Sequence, residues 1–113
     1  MATRIPDPLK RRHLIEGRLD PERARALGLA YLEQRRTLEA VAFLQRAEAT
    51  DELERVLEEA IEAGDAFLVR EVAAALGRGV DSTTWRRVAE AAEREGKESY
   101  AADALRHAEL LER

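Results

Sequence analysis

Helix-start and helix-stop signals recur along this chain at short, regular intervals, and they restrict what it can fold into more than any other feature. Asp20-Pro21 is a start signal, with a capping carboxylate followed by Pro at the first helical position, where the missing N–H costs nothing. Gly64, the pair Gly77 and Gly79, and Gly96 each interrupt an apolar pattern of three-and-four spacing. A chain cut this way can bury its stripes only by packing short helices side by side.

The stripes between the signals fix the segments. Residues 20–35 carry Ala24, Leu27, Ala30 and Tyr31, and after a turn at 35–37 a new face begins with Leu38, Val41, Ala42 and Leu44. Thr50 or Asp51 caps a third helix bearing Leu53, Val56, Leu57, Ala60 and Ile61. Asp65 opens a fourth, with Phe67, Leu68, Val69, Val72, Ala73 and Leu76 facing inward. Ser82 caps a fifth carrying Trp85, Val88, Ala89 and Ala92, and a sixth from about 98 to 111 shows Tyr100, Ala101, Ala104, Leu105, Ala108 and Leu111. A shorter helix from Asp7-Pro8 to about residue 16, stopped by Gly17, precedes them.

No alternating strand pattern interrupts this series, and the abundance of Ala, Glu, Arg and Leu favours helix throughout. The predicted fold is all-α: residues 1–18 form a basic segment with a short helix, and 19–113 form three antiparallel hairpins over about 20–49, 51–77 and 82–112. The chain's 113 residues are enough for one small domain or a short array.

Aligned on their turns, the hairpins share an order of residues. The first reads Leu27-Gly28, then Tyr31, Ala40, Leu44 and Ala47. The third reads Trp85, Val88-Ala89, Ala92, Gly96, Ala101, Leu105 and Ala108, and the second places Leu53, Val56-Leu57, Ala60, Gly64, Val69, Ala73 and Leu76 in the same register. This order resembles the degenerate form of the tetratricopeptide repeat, whose first helix carries Trp, Leu-Gly and Tyr and whose second carries Ala, Phe and Ala. Matched turns lie 29 residues apart from Arg35 to Gly64 and 32 from Gly64 to Gly96, against about 34 in the regular family. Leu57 is large where the family has a small residue, Arg35 stands where it favours Gly, and no repeat ends in the family's Pro.

The resemblance implies a stacked superhelix that presents a groove to a peptide or helix of another protein, as a scaffold or adaptor. On that pattern the groove is lined by Arg25, Leu29, Leu32 and Glu33 in the first hairpin and by Glu54, Glu58, Ile61 and Glu62 in the second. Arg86 and Glu90 follow in the third, with Glu93 and Arg94 beside them. It would be apolar at one end and acidic in the middle, and a basic or amphipathic segment fits it best. The family's carboxylate clamp needs a Lys and an Asn one turn apart. The matching pairs here are Arg25 with Leu29, Glu54 with Glu58, and Arg86 with Glu90, so the clamp is absent.

Two alternatives stand beside the groove. The short N-terminal helix could cover Leu29 and Leu32 with Leu9, Leu14 or Ile15, and Leu105, Leu110 and Leu111 at the other end could join two copies in a homodimer. Lys10, Arg11, Arg12 and His13 form the one dense basic run, read as the solvated face of the short helix, with a nucleic-acid-binding patch there as a third alternative ranked last. A formal charge of −4 argues against nucleic acid as the ligand.

Catalysis finds no support in the residues: there is no Gly-rich phosphate loop, no nucleophile elbow and no cysteine, and the hydroxyls stand where caps would use them. His13 and His107 are far apart and build no zinc motif, so neither a metal nor a cofactor is expected. With no signal peptide and no run of about 18 apolar residues, the expected setting is the cytoplasm, without membrane contact. The weight of Ala and Arg is compatible with a GC-rich bacterial genome.

Overall fold

The computed structural model describes Ile5 and residues 19–113. Six α-helices and no strands occur among the described residues: α1 Pro21–Glu33, α2 Thr37–Arg46, α3 Thr50–Ala63, α4 Ala66–Ala75, α5 Ser82–Arg94 and α6 Glu98–Leu111. The helix expected at 8–16 and the basic run at 10–13 lie outside the described residues. No described helix is long and apolar enough to cross a membrane.

Local chemistry sets the helix ends. Asp20 accepts the Arg23 N–H, Asp65 Oδ1 accepts the Leu68 N–H at 3.0 Å, and Asp81 Oδ1 accepts the Thr84 N–H at 2.8 Å. Each satisfies a donor that the first helical turn leaves free. Asp81, and not the expected Ser82, is therefore the cap of α5; Ser82 is already its first helical residue. The two neighbours are both good caps by type, and the carboxylate one position earlier reaches the third amide.

At the other ends, each of the first five helices closes with the same paired bonds. For α3 the Gly64 N–H reaches the Ile61 carbonyl and the Asp65 N–H reaches Ala60, and for α1 the Arg35 N–H reaches Leu32 and the Arg36 N–H reaches Tyr31. This pattern needs a left-handed residue just past the helix. Gly64 supplies it at φ 70°, whereas Arg35 adopts φ 58° with a full side chain.

Turns of two or three residues join α1 to α2, α3 to α4 and α5 to α6. Connections that short fold neighbours back antiparallel. The chain divides into two compact units, Met1–Leu53 and Glu54–Arg113, with the division falling inside α3.

In the first unit, α1 packs on α2, burying Ala24, Leu27, Tyr31, Ala40, Phe43 and Leu44. Tyr31 and Phe43 stack with centroids 5.3 Å apart. A Cβ added at Gly28 would lie 2.7 Å from Leu44 Cδ2 and 2.8 Å from its Cγ, so a larger residue here requires the buried Leu44 side chain to move.

In the second unit, Ala60, Ile61, Ala66, Val69, Trp85, Val88, Ala104 and Ala108 form one buried cluster contributed by α3, α4, α5 and α6. His107 stacks on Trp85 at 4.6 Å. Four residues of the expected stripes point outward: Leu38 is 48%, Phe67 47%, Leu105 40% and Leu111 57% exposed. In α4 the inward arc is taken by Ala66, Val69, Val72 and Ala73, and Phe67, one residue round from Ala66, falls off it. In α2 the arc is Ala40, Val41, Phe43 and Leu44, and Leu38 lies beside it.

Candidate functional site

The residues assigned to a groove are divided by the fold. In the first unit Leu29 and Leu32 are half-buried and Glu33 is exposed, while Arg25 donates from Nε to Glu52 Oε1 at 2.7 Å. In the second, Ile61 is only 4% exposed and belongs to the core cluster, so it cannot present itself to a partner. Its place in the inward stripe of α3 outweighs the family register that would turn it outward.

The acidic middle is also not free. Glu54 is held by Arg78, and Glu58 accepts Arg87 Nη2 at 2.7 Å. These partners arrive from the loop before α5 and from α5 itself. Both carboxylates are thus neutralised within the chain, and Glu62 lies close enough to Arg87 to share its field. The hydrogen bond to Glu58, followed by its charge, holds the Arg87 guanidinium still more firmly protonated.

Arg86 is tied down as well, by two parallel hydrogen bonds to Glu112: Nε to Oε2 at 2.8 Å and Nη2 to Oε1 at 2.5 Å. This forked geometry fits a carboxylate in two places at once. The Arg86 hydrogen bonds hold the Glu112 carboxyl below its ordinary range.

The second unit has a cleft of about 350 Å³ at Phe67, Arg70, Tyr100 and Arg106, and it also leaves open the outer face of its last hairpin. Arg86, Ala89, Glu90, Glu93, Ala101, Ala102 and Leu105 line a cleft of about 390 Å³ between α5 and α6. Its floor is apolar, and Leu105 stands 40% exposed in it. Glu90 feels the charge of Arg86 without forming an ion pair, and the Glu93 carboxylate has no ion-pair or hydrogen-bond partner among the described residues.

Register explains why this face stands out. The turns at Gly64 and Gly96 place the second and third hairpins 32 residues apart. Val56 with Val88, Ala60 with Ala92, and Val72 with Ala104 are then equivalent pairs, and all six residues are buried. The equivalence breaks on one face. Ile61, Ala66, Val69 and Ala73 are buried, whereas Glu93, Glu98 and Leu105 at the matching places are exposed and Ala101 is half-buried. Three of those four buried residues share their cluster with residues of α5 and α6. The third hairpin covers this face of the second, and no described residue covers the corresponding face of the third.

The turn glycines repeat the contrast. A Cβ on Gly64 would lie 2.2 Å from the Ala92 nitrogen, while one on Gly96 would meet nothing within 4 Å. Lys97 Nζ also reaches back to the Ala63 carbonyl at 2.8 Å, fastening the third hairpin over the end of α3.

Of the expected site residues, Arg86 and Glu90 meet in one cleft. Leu105, flagged in the sequence as a dimer contact, is the apolar centre of it. Arg78, Arg87 and Glu112, which decide the charges of the face, carried no signal beyond being charged. Among the described residues no group of three or more His, Asp or Glu could hold a metal ion.

The described residues define an all-α fold of short antiparallel hairpins, the last of which has an outer face that no described residue covers. Comparison of the chain with protein-family models, with curated proteins and with solved structures finds no match.

Proposed function

We propose that this chain is a protein-interaction module related in design to tetratricopeptide arrays, which holds a segment of a partner protein on a preformed helical surface. The observation that carries the reading is the break in register: positions buried at Ile61, Val69 and Ala73 become the open cleft around Glu93, Ala101 and Leu105. Helical hairpins are rigid, so a docking segment would find these side chains already placed and little ordering cost would fall on the module's side. Exposed apolar surface rimmed by charge is the usual mark of a docking site.

The sequence-level groove at Leu29 and Leu32 is the second candidate surface, because both leucines remain half-buried and not fully enclosed. The two surfaces are separable by experiment. Tagged native protein, a Leu105→Glu variant and a Leu29→Arg, Leu32→Arg variant would be used to capture partners from lysate, after circular dichroism shows equal helicity. A specific protein held by the native chain and lost from Leu105→Glu places binding on the open face. Loss only from the leucine pair moves it to the first hairpin, and equal capture by all three, or by none, rejects the module.

A further inference from the structure

If the chain is such a module, its own second hairpin supplies a template for the partner, and this inference rests on that reading. α5 and α6 together close the α3–α4 face, α6 through Ala104 and Ala108, and α5 carries the large and charged side chains of the contact. Helix α5 brings Trp85 and Val88 into the cluster with Ala60, Ile61 and Val69, and from between them Arg87 reaches out to Glu58. The docking unit is therefore a large apolar residue, a basic residue two positions on, and an apolar residue after that.

The acceptor half of this arrangement recurs on the open face. Glu90 occupies the register of Glu58, exposed and without an ion pair, above the half-buried Ala89 and Ala101 and the exposed Leu105. Glu93, one turn along α5, adds a second carboxylate unpaired among the described residues where the second hairpin has Ile61. We infer that this face docks an amphipathic helix of a partner protein bearing a large apolar residue and, two positions on, a Lys or Arg that pairs with Glu90 as Arg87 pairs with Glu58.

A second copy of the chain fits less well. Two such faces meeting on a two-fold axis would bring the acidic group of Glu90, Glu93 and Glu98 from each copy to the same interface, and like charges gathered across an interface cost affinity. Head-to-tail stacking would instead bring in the first hairpin, whose residue in the register of Arg87 is Ala26, with no charge to offer Glu90.

A labelled synthetic peptide of residues 81–96, which contains Trp85, Arg87 and Val88 in their natural order, serves as the probe, titrated into the intact chain by fluorescence anisotropy with amide chemical shifts recorded in parallel. Binding is expected with shifts gathered at Ala89, Glu90, Glu93, Ala101 and Leu105. Glu90→Arg in the chain should weaken it about fivefold, in keeping with one exposed ion pair replaced by a repulsion, and a peptide with Arg87→Glu should bind that variant better than the native chain. The inference is overturned by no binding, by binding indifferent to Glu90→Arg, or by shifts centred on Glu58, which would mean that the peptide displaces α5. It is equally overturned if sedimentation equilibrium shows a dimer that Glu90→Arg abolishes. A partner captured through Leu105 by a helix without basic residues would keep the module and refute only the basic helix.

Discussion

Replacing Gly64 by Ala tests the close packing that sets the second hairpin under the third. Two penalties apply, and the structure separates them. At φ 70° any L side chain is strained, by roughly 1–2 kcal/mol. The added Cβ would also fall 2.2 Å from the Ala92 nitrogen, 2.5 Å from its Cα and 2.8 Å from the Ala91 carbonyl carbon. These are backbone atoms of α5, which cannot rotate away as a side-chain tip could, so α5 must shift by about 1 Å; overpacking of that kind costs typically about 1–3 kcal/mol more. Gly77 and Gly96 have nearly the same φ, 71° and 70°, with nothing within 4 Å of an added Cβ, and report the conformational penalty alone. In urea titrations of the three Ala variants, Gly77→Ala and Gly96→Ala should each lose about 1–2 kcal/mol and Gly64→Ala about 2–5 kcal/mol, with unchanged denaturant slope. Equal losses at Gly64 and Gly96 would show that no backbone presses on the Gly64 turn, and the account of a covered second hairpin and an open third would fall with it.

The capping assignment at α5 is checked by thermal melts: Asp81→Ala should lower stability and Asp81→Asn should largely keep it, whereas Ser82→Ala should do little, since Asp81 accepts the Thr84 N–H. A larger loss at Ser82 would reverse the assignment. Glu112 should titrate below an ordinary glutamate in a carbon-detected pH series, because the Arg86 hydrogen bonds favour its charged form, and Arg86→Gln should return it to the ordinary range. The unfolded chain then takes up this proton first, so the contribution of the pair is present above the unfolded carboxyl pKa and is lost as pH falls through the folded one. Stability that rises on acidification through that window in the native chain, but not in Arg86→Gln, would contradict the pairing.

Helix boundaries were legible because their causes are local. A capping carboxylate, a proline at the first position or a glycine past the last acts through bonds spanning three to five residues, so Asp20-Pro21, Gly64, Asp65 and Gly96 could be read in isolation. Where two signals stood side by side, as at Asp81 and Ser82, type alone did not separate them. Faces were legible only where the arc was unambiguous. The run from Ala66 to Val69 is apolar at four successive positions, and no helix can turn all four inward; tertiary packing kept Ala66 and Val69 and put Phe67 outside.

The charges of the candidate site were illegible for a different reason. Glu54 and Glu58 read as an acidic surface because their partners, Arg78 in the loop after α4 and Arg87 in the next hairpin, lie far along the chain, and a pairing made by tertiary packing leaves no mark in α3 alone.

Composition within equivalent positions carries the last step. From the second hairpin to the third, Val56, Ala60 and Val72 are matched by Val88, Ala92 and Ala104, so the packing inside the hairpin is kept almost residue for residue. On the outer face Ile61 and Ala66 are matched by Glu93 and Glu98, while Ala73 is matched by the larger Leu105. A face meant to be sealed by another identical hairpin would keep the isoleucine, since burying an unpaired carboxylate costs more than burying it gains. An apolar centre edged by unpaired acids suits a surface that is wetted when free and covered by a basic partner when bound, and the salt dependence of that binding should follow the exposure of Glu90 and Glu93.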